Sequence, residues 1–296
     1  LSIGALLLFV FMLKAGLFPF CYWLPNSYPI LPTPALALYA GLLTKVGVFV
    51  VIRVFATLLP HDLTALHRVL AALAGLTILV GAFGSLARGT LRGMLVFQVI
   101  AAVGLMLLAA GWFTPVALAA GLYYLIQDVA VKIGLFLAGG AITRWTGSDE
   151  LTRMGGLWTR APMLGLVFLV LSLSLCGIPP FSGFWGKLAV LQAGMAQRDY
   201  TAVCVILAGG FLTLVAMLRI WHFAFWRPAP DPDRLAPQPR SCRLAAIAGI
   251  SALLAVGLGL AAEPIFQLTQ RVAEQTLNAD AYAAAVRAFI GKAEGP

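Results

Sequence analysis

Long apolar segments recur along almost the whole chain. Hydrophobic residues make up 61% of its 296 residues and charged residues only 10%, and the mean hydropathy is +0.95. A soluble domain usually holds about 25% charged residues, whereas a helix needs about 20 apolar residues to cross a bilayer. Proline, glycine and charged residues separate the segments at roughly 1–27, 35–59, 66–86, 91–110, 115–143, 162–196, 201–225 and 243–262. The sequence therefore predicts an all-α, polytopic transmembrane helix bundle with about eight spans.

Proline and glycine interrupt two of these segments. As a straight helix, residues 162–196 would be about 50 Å long, well beyond the ~30 Å hydrocarbon core, and CGIPPFSGFWGK lies in their middle. The first segment carries LFPFCYWLPNSYPILPTP shortly after Lys14. Paired interrupted helices in a transporter are the best sequence indicator of an ion site, because broken backbone must face a wet cavity. We therefore expect two discontinuous helices beside an ion pathway.

The arginines lie mostly in the connections between spans. They form no basic stripe with interleaved aromatic residues, so nucleic acid is not a predicted partner. Alternate connections hold nine Lys or Arg residues against three in the opposite set, which predicts that the richer set faces the cytoplasm. We expect a multi-pass protein of the cell (inner) membrane, with a proline-rich cytoplasmic linker at residues 227–240. Because the chain begins inside an apolar helix, further helices are expected to precede it.

Lysine is distributed differently from arginine. Four of the five lysines lie singly within apolar segments, namely Lys14, Lys45, Lys132 and Lys187. A lysine in an apolar site can lose its proton in the physiological pH range, whereas arginine cannot, and a charge within a membrane is a functional-site hypothesis. These residues are therefore the candidate proton relay. The alternative is that each amine is fixed in an ion pair or reaches the interface on its flexible stem.

Asp128 is the only carboxylate well inside a predicted span. It precedes Lys132 by four residues in YYLIQDVAVKIGLF, and this spacing places acid and base on one helix face in the favourable order. Two interpretations stay open: a fixed ion pair that offsets the burial of both charges, or a switch whose loosening changes protonation nearby. We include Asp128 in the predicted relay. Its neighbour Gln127 is a secondary candidate that forms hydrogen bonds but carries no charge.

Other residue types indicate little catalytic chemistry. His222, near Arg219 at the end of a span, is a secondary candidate for an exit path, with an ordinary interfacial residue as the alternative. The four cysteines show no paired spacing. No metal ligand set, cofactor-binding loop or catalytic triad is predicted. We expect a transporter subunit without cofactor, metal or catalytic site of its own, and whether it belongs to a larger redox enzyme stays open.

Two long motifs resemble a known family. They are KAGLFPFCYWLPNSYPILPTPALALYAGLLTKVGVFVVIRV and LSLCGIPPFSGFWGKLAVLQAG. Both resemble the proton-translocating antiporter family shared by Mrp-type multisubunit cation/proton antiporters and the membrane arm of respiratory complex I. The tail AEPIFQLTQRVAEQTLNADAYAAAV is most similar to that of the D-type subunit of the Mrp antiporters. The resemblance implies a fold of fourteen helices with two inverted repeats, each containing a discontinuous helix, and assigns this chain to the C-terminal portion.

The resemblance also implies roles for single residues. Lys14 matches the lysine of the first broken helix, Lys45 the central lysine of the next helix, Lys132 that of the later half and Lys187 the lysine after the second break. In the family, such lysines and intervening waters pass protons along the middle of the membrane. The sequence departs from the family at two points, because the glutamate partner expected for Lys14 would lie upstream of Leu1 and many relatives carry a histidine close to Gln127 and Asp128.

The predicted function is a membrane subunit of a multisubunit Na⁺ or K⁺/proton antiporter that relays protons through buried lysines. The alternative is a non-redox, proton-pumping membrane subunit of an NADH-quinone oxidoreductase or a membrane hydrogenase. A purely structural subunit is the third possibility. The predicted partners are the other antiporter subunits, the lipid bilayer, protons and Na⁺ or K⁺. We divide the chain into a transmembrane domain at 1–262 and an amphipathic tail at 263–296, which lies on the membrane surface or against a partner subunit.

Overall fold

The computed structural model describes residues 2–57, 64–230 and 239–278, and these are almost entirely helical. The α-helices are α1 (Ser2–Ala15), α2 (Trp23–Ser27), α3 (Thr33–Leu38), α4 (Thr44–Thr57), α5 (Thr64–Ala87), α6 (Leu91–Gly111), α7 (Pro115–Thr146), α8 (Leu157–Arg160), α9 (Pro162–Cys176), α10 (Ser182–Ala196), α11 (Tyr200–Trp221), α12 (Pro239–Leu260) and α13 (Ala262–Leu277). The prediction of an all-α membrane bundle is confirmed.

Six helical spans of the described ranges are long and apolar enough to cross a membrane. They are Thr33–Phe55, Leu66–Ala87, Leu91–Gly111, Pro115–Thr146, Tyr200–Trp226 and Ser241–Leu260. Each corresponds to one predicted segment. The two remaining predicted segments are the interrupted ones, and they form shorter helices, among them the apolar α9.

Both predicted interruptions are present. α1 ends at Ala15, and Gly16 follows with a φ of +77°. α9 ends at Cys176, Gly177 has a φ of +83°, and α10 begins only at Ser182 after two prolines. Glycine adopts this left-handed conformation without steric cost and is the common residue after a helix end. Each break therefore begins where glycine ends a helix, and proline then prevents its continuation.

The span Thr33–Phe55 is continuous but irregular. A π-helical turn at Tyr39–Leu43 joins α3 to α4, and it lies directly before Thr44 and Lys45. Such turns occur mostly as single insertions in α-helices and often at functional sites. The turn therefore marks the approach to one of the predicted relay residues.

The centre of the bundle is formed by α6 and α7. Every residue of α6 from Gly93 to Gly111 is buried, as expected for a helix that is apolar on all sides. α7 is the longest helix of the described ranges, with 32 residues, and it contacts α3, α6, α9, α10, α12 and α13. Polar side chains near the middle of α7 are consequently enclosed by helices rather than by lipid.

The first part of the predicted tail forms α13. This helix packs against α7 and α4, and its Phe266 ring stacks on Tyr123 with 4.2 Å between ring centroids. Leu268 is 57% exposed on the other side. The rest of the tail, 279–296, and most of the predicted linker, 231–238, lie outside the described residues, and the division of the chain into two parts stays a prediction.

Candidate functional site

Two lysines from different helices share one buried carboxylate. Lys45 Nζ of α4 lies 2.8 Å from Asp128 Oδ2 of α7, and Lys132 Nζ lies 3.9 Å from Asp128 Oδ1. The three residues are only 3%, 0% and 1% exposed. We call Lys45, Asp128 and Lys132 the lysine–aspartate cluster. The sequence predicted the contact within α7 but not the shorter one between α4 and α7.

The two amines also contact backbone carbonyls. Lys45 Nζ donates to Ala40 O at 2.8 Å, a carbonyl of the π-helical turn. Lys132 Nζ donates to Gln98 O of α6 at 3.0 Å. Buried ion pairs offset their desolvation only when further hydrogen bonds satisfy the remaining protons. These carbonyls therefore supply part of what each amine loses by leaving water.

The charges of the cluster do not balance if both amines are protonated. One carboxylate compensates one ammonium, and a second buried ammonium is left without a counter-ion of its own. An uncompensated charge in an apolar interior costs several kcal/mol. A second ammonium beside this one carboxylate is therefore costly in free energy.

Lys187 is held in a different way. Its Nζ donates to Leu175 O at 2.8 Å and to Cys176 O at 2.9 Å. These are carbonyls at the C-terminal end of α9, where the helix has no internal donors for them and carries partial negative charge. Lys187 lies in α10, so its side chain reaches back across the second break. No carboxylate forms an ion pair with it within the described ranges.

The other predicted residues are separate from this group. The side chain of Lys14 is exposed at the end of α1, and His222 is exposed beyond α11, where its ring contacts Phe223. Gln127 is 1% exposed, and neither its Oε1 nor its Nε2 has a hydrogen-bond partner among the described residues. The fold thus joins Lys45, Asp128 and Lys132, whereas Lys14 and His222 do not contact that cluster.

Two buried polar residues were missed in the sequence. Gln98 of α6 is 1% exposed and Thr213 of α11 is 5% exposed, and Thr213 Oγ1 lies 3.0 Å from Gln98 Oε1. Gln98 is the only polar side chain in the apolar run from Gly93 to Gly111. Burying an amide without a hydrogen-bond partner costs free energy. A single glutamine in an otherwise apolar run was therefore the available sequence signal. Thr213 gave none, because threonine is common in membrane helices.

Known proteins resemble the chain over nearly its whole length. A family model described as "NADH:quinone oxidoreductase/Mrp antiporter, TM" matches residues 1–213. The D-type subunit of the Na⁺/H⁺ antiporter of Alkalihalophilus pseudofirmus is 39% identical over 280 residues, which are 95% of this chain and 57% of that protein. The chain therefore spans little more than half the length of this relative.

Solved structures give the same result. A chain of the Mrp complex from Dietzia sp. DQ12-45-1b superposes with a TM-score of 0.89 at 28% identity, over 96% of this chain and 60% of that one. A chain of respiratory complex I from Thermus thermophilus with bound NADH gives 0.79 at 27% identity, over 93% and 58%. The predicted resemblance is confirmed. This chain is a multi-pass membrane protein that belongs to the family of transmembrane subunits common to NADH:quinone oxidoreductases and Mrp antiporters.

Proposed function

We propose that this chain is the ion-translocating, D-type subunit of a multisubunit Na⁺ or K⁺/proton antiporter in the cell membrane. The observation that carries the proposal is the lysine–aspartate cluster, in which two buried amines compete for one carboxylate. A fixed structural pair would need only one amine. The likeness to the Na⁺/H⁺ antiporter protein of A. pseudofirmus supports antiport as the activity.

In the proposed mechanism, a proton moves between the amines of the cluster. When Lys45 is protonated, Asp128 stabilises its charge at 2.8 Å and Lys132 is more stable as the neutral amine. When the proton passes on, Asp128 stabilises Lys132 instead, which needs only a small rotation of the carboxylate from its present 3.9 Å. Lys187 receives the proton next, at the second break. Lys14, at the first break, is proposed as a further relay member.

Partner subunits complete the exchange in this proposal. The resembling chain from Dietzia is part of an Mrp complex, and the cluster contains no set of carboxylates that would hold Na⁺ or K⁺. Hard monovalent and divalent cations are bound mainly by oxygen ligands. We therefore assign proton movement to this chain and leave the cation to a site completed with other subunits and the surrounding bilayer.

A second candidate is a proton-pumping subunit without redox groups in an NADH-quinone oxidoreductase or a membrane hydrogenase. The likeness to a complex I chain of T. thermophilus favours it. The lysines would act alike there, but the driving force would come from electron transfer. Dependence of transport on an added cation gradient, without a reductant, favours the antiporter.

The test compares Lys45→Arg with Lys45→Ala in the native complex, in everted membrane vesicles. Arginine keeps the charge but cannot give up its proton, so a relay predicts that both variants lose cation-dependent proton movement to a similar extent. Immunoblots of the vesicles control for protein amount. Wild-type transport by Lys45→Arg would contradict the relay and favour a structural ion pair.

A further inference from the structure

An open groove lies between α9 and α12, at the end of the bundle that is predicted to face the cytoplasm. Its volume is about 500 Å³. Arg160, the last residue of α8, and Trp145, near the end of α7, line the groove where the helices meet their connections. The deeper walls are formed by apolar or small residues of α9 and α12, among them Met163, Val167, Ala246 and Gly249. The groove is thus charged at one end and apolar along the rest.

The groove runs along the two helices. Its lining residues on α12 extend from Cys242 to Gly249, which is about 10 Å of helix, and one leaflet contributes about 15 Å to the hydrocarbon core. A Cβ on Gly249 would lie 3.8 Å from Val167 Cγ2, so α9 and α12 come together there and close the groove. The space therefore suits an extended apolar chain that enters from the charged end.

Three arginines lie at the charged end. Arg160 lines the groove, and its side chain is exposed. Arg144 directly precedes the lining residue Trp145, and Arg243 directly follows the lining residue Cys242. α9 also begins at this end without a side-chain cap, so its free N–H groups add partial positive charge. A ligand that enters here meets a positive potential.

The acidic residues of the neighbouring connection have other partners. Glu150 Oε2 lies 2.6 Å from Arg153 Nε, and Asp149 Oδ1 accepts from the main-chain N of Arg92 at 3.2 Å. Among the residues that the structure describes, no carboxylate lines the groove. A cationic group at the charged end would therefore meet arginine and find no opposite charge.

These features together match an acidic phospholipid. A phosphate diester carries one negative charge, and arginine binds phosphate oxygens through two parallel N–H groups. Basic pockets between transmembrane helices on the cytoplasmic side bind anionic lipid headgroups. The headgroup of phosphatidylglycerol ends in an uncharged glycerol, whereas phosphatidylethanolamine adds an ammonium for which the described lining offers no carboxylate. Phosphatidylglycerol is therefore the lipid whose charge fits the groove.

We propose that this groove binds one phosphatidylglycerol molecule of the cytoplasmic leaflet, with an acyl chain between α9 and α12 and the phosphate at Arg160. The indole N–H of Trp145 has no hydrogen-bond partner within the described ranges, and it donates to an ester or phosphate oxygen of the lipid. The lipid holds the start of α9 against α12, whereas the other end of α9 carries the carbonyls that bind Lys187. The site goes beyond the proposed function, because it does not depend on what drives ion movement.

The first test is photolabelling of the native complex in membrane vesicles. The probe is phosphatidylglycerol with a diazirine on one acyl chain, and mass spectrometry identifies the labelled peptides. We expect label on α9 and α12. Unlabelled phosphatidylglycerol should compete about fivefold better than phosphatidylcholine or phosphatidylethanolamine with the same chains, since one arginine near a membrane surface favours an anionic lipid by about that factor. Equal competition by all three lipids would overturn the site, because it would show only the lipid that surrounds any membrane protein.

Two substitutions test the two ends of the groove separately. Arg160→Gln should lower labelling about fivefold, whereas Arg160→Lys keeps the charge and should stay within about twofold of the wild type. Ala246→Trp fills the groove from α12 and should abolish labelling of α9. Leu253→Trp is its matched control, because Leu253 is 73% exposed on the same helix and does not line the groove. Unchanged labelling in Ala246→Trp would overturn the proposal, and this variant alone decides if Arg160→Gln does not accumulate in membranes.

The unfolding temperature of the purified complex gives a second measurement. A ligand that binds only the folded state raises it, so added phosphatidylglycerol should stabilise the wild type and Leu253→Trp but not Ala246→Trp. Stronger stabilisation by cardiolipin would contradict the headgroup with a single phosphate, and a map that shows a helix of another subunit in the groove would overturn the site. None of these measurements involves ion movement, so their failure leaves the proposed function intact, and loss of transport in the lysine variants leaves the lipid site intact.

Discussion

Among the described residues, the lysines of the cluster and the partly buried Lys187 are stabilised by different means. Lys45 and Lys132 lie against a carboxylate, whereas Lys187 lies against two neutral carbonyls at the end of α9. A carboxylate carries a full charge of its own and must be compensated when it is buried. Carbonyls at a helix end carry only partial charge. Leaving them beside a neutral amine, or beside none, therefore costs less free energy than leaving a carboxylate without a counter-ion. The cluster is therefore an interdependent unit, and the Lys187 site is not.

Asp128→Ala gives the largest expected effect. It leaves two buried amines without a counter-ion, and removing one partner of a buried ion pair costs about 3–5 kcal/mol of folding free energy. We expect a lower unfolding temperature of the solubilised protein and loss of proton movement. Asp199→Ala is the matched control, because Asp199 caps α11 and accepts from Trp112 outside the cluster. Equal losses in both variants would refute the interdependence.

Combining Asp128→Asn with Lys45→Met sharpens the same comparison. The double variant removes one charge of each sign, and apolar replacement of a buried ion pair is often neutral for stability. We expect the unfolding temperature to recover most of the loss seen in Asp128→Asn, while proton movement stays absent. The measurement is a double-mutant cycle on the unfolding temperature, with transport assayed in parallel. A double variant no more stable than Asp128→Asn would argue against Lys45 as the main partner.

Lys187→Ala should separate function from stability at the second site. It removes hydrogen bonds made by a charged donor, each of which contributes about 1.5–3 kcal/mol to stability. It leaves no carboxylate without its counter-ion. We expect abolished transport with a smaller fall in unfolding temperature than in Asp128→Ala. A fall as large as that of Asp128→Ala would show that the two sites are alike in their energetics.

Gln127→Leu is expected to act in the opposite direction on stability. Both polar atoms of the Gln127 amide are buried without protein partners among the described residues, and a buried unsatisfied polar group costs about 1–3 kcal/mol. The apolar variant should be as stable as the wild type or more stable, and it should transport normally. Slower transport in Gln127→Leu would instead place Gln127 on the proton path.

His222→Gln should have the smallest effect. The side chain is exposed at the end of α11, and surface substitutions usually change stability by no more than about 0.5 kcal/mol. We expect transport within about twofold of the wild type, since a surface residue changes little. A clear change in the pH dependence of transport would support the predicted exit path through His222.

Local sequence signals predicted the architecture, and they singled out the two lysines and the aspartate that the structure brings together. Glycine and proline mark both breaks, and the single lysines stand out against apolar neighbours. The contact of Lys45 with Asp128 could not be predicted, because it joins residues 83 positions apart. It depends on the packing of α3 and of the π-helical turn before Lys45 against α7. Gln98 contacts Lys132 through its main-chain oxygen, which any residue type provides. Periodicity and spacing report on one helix at a time, so contacts between helices had to come from the structure.

The π-helical turn at Tyr39–Leu43 has a consequence for how this span tolerates change. Such a turn corresponds to one residue more than a regular α-helix needs, and each residue advances an α-helix by about 100°. Rewinding the turn as regular α-helix without removing a residue would rotate everything after it by about that angle. Lys45 would then face away from Asp128, although no residue of the cluster had been altered. The wider winding of this short turn therefore keeps Lys45 directed at Asp128.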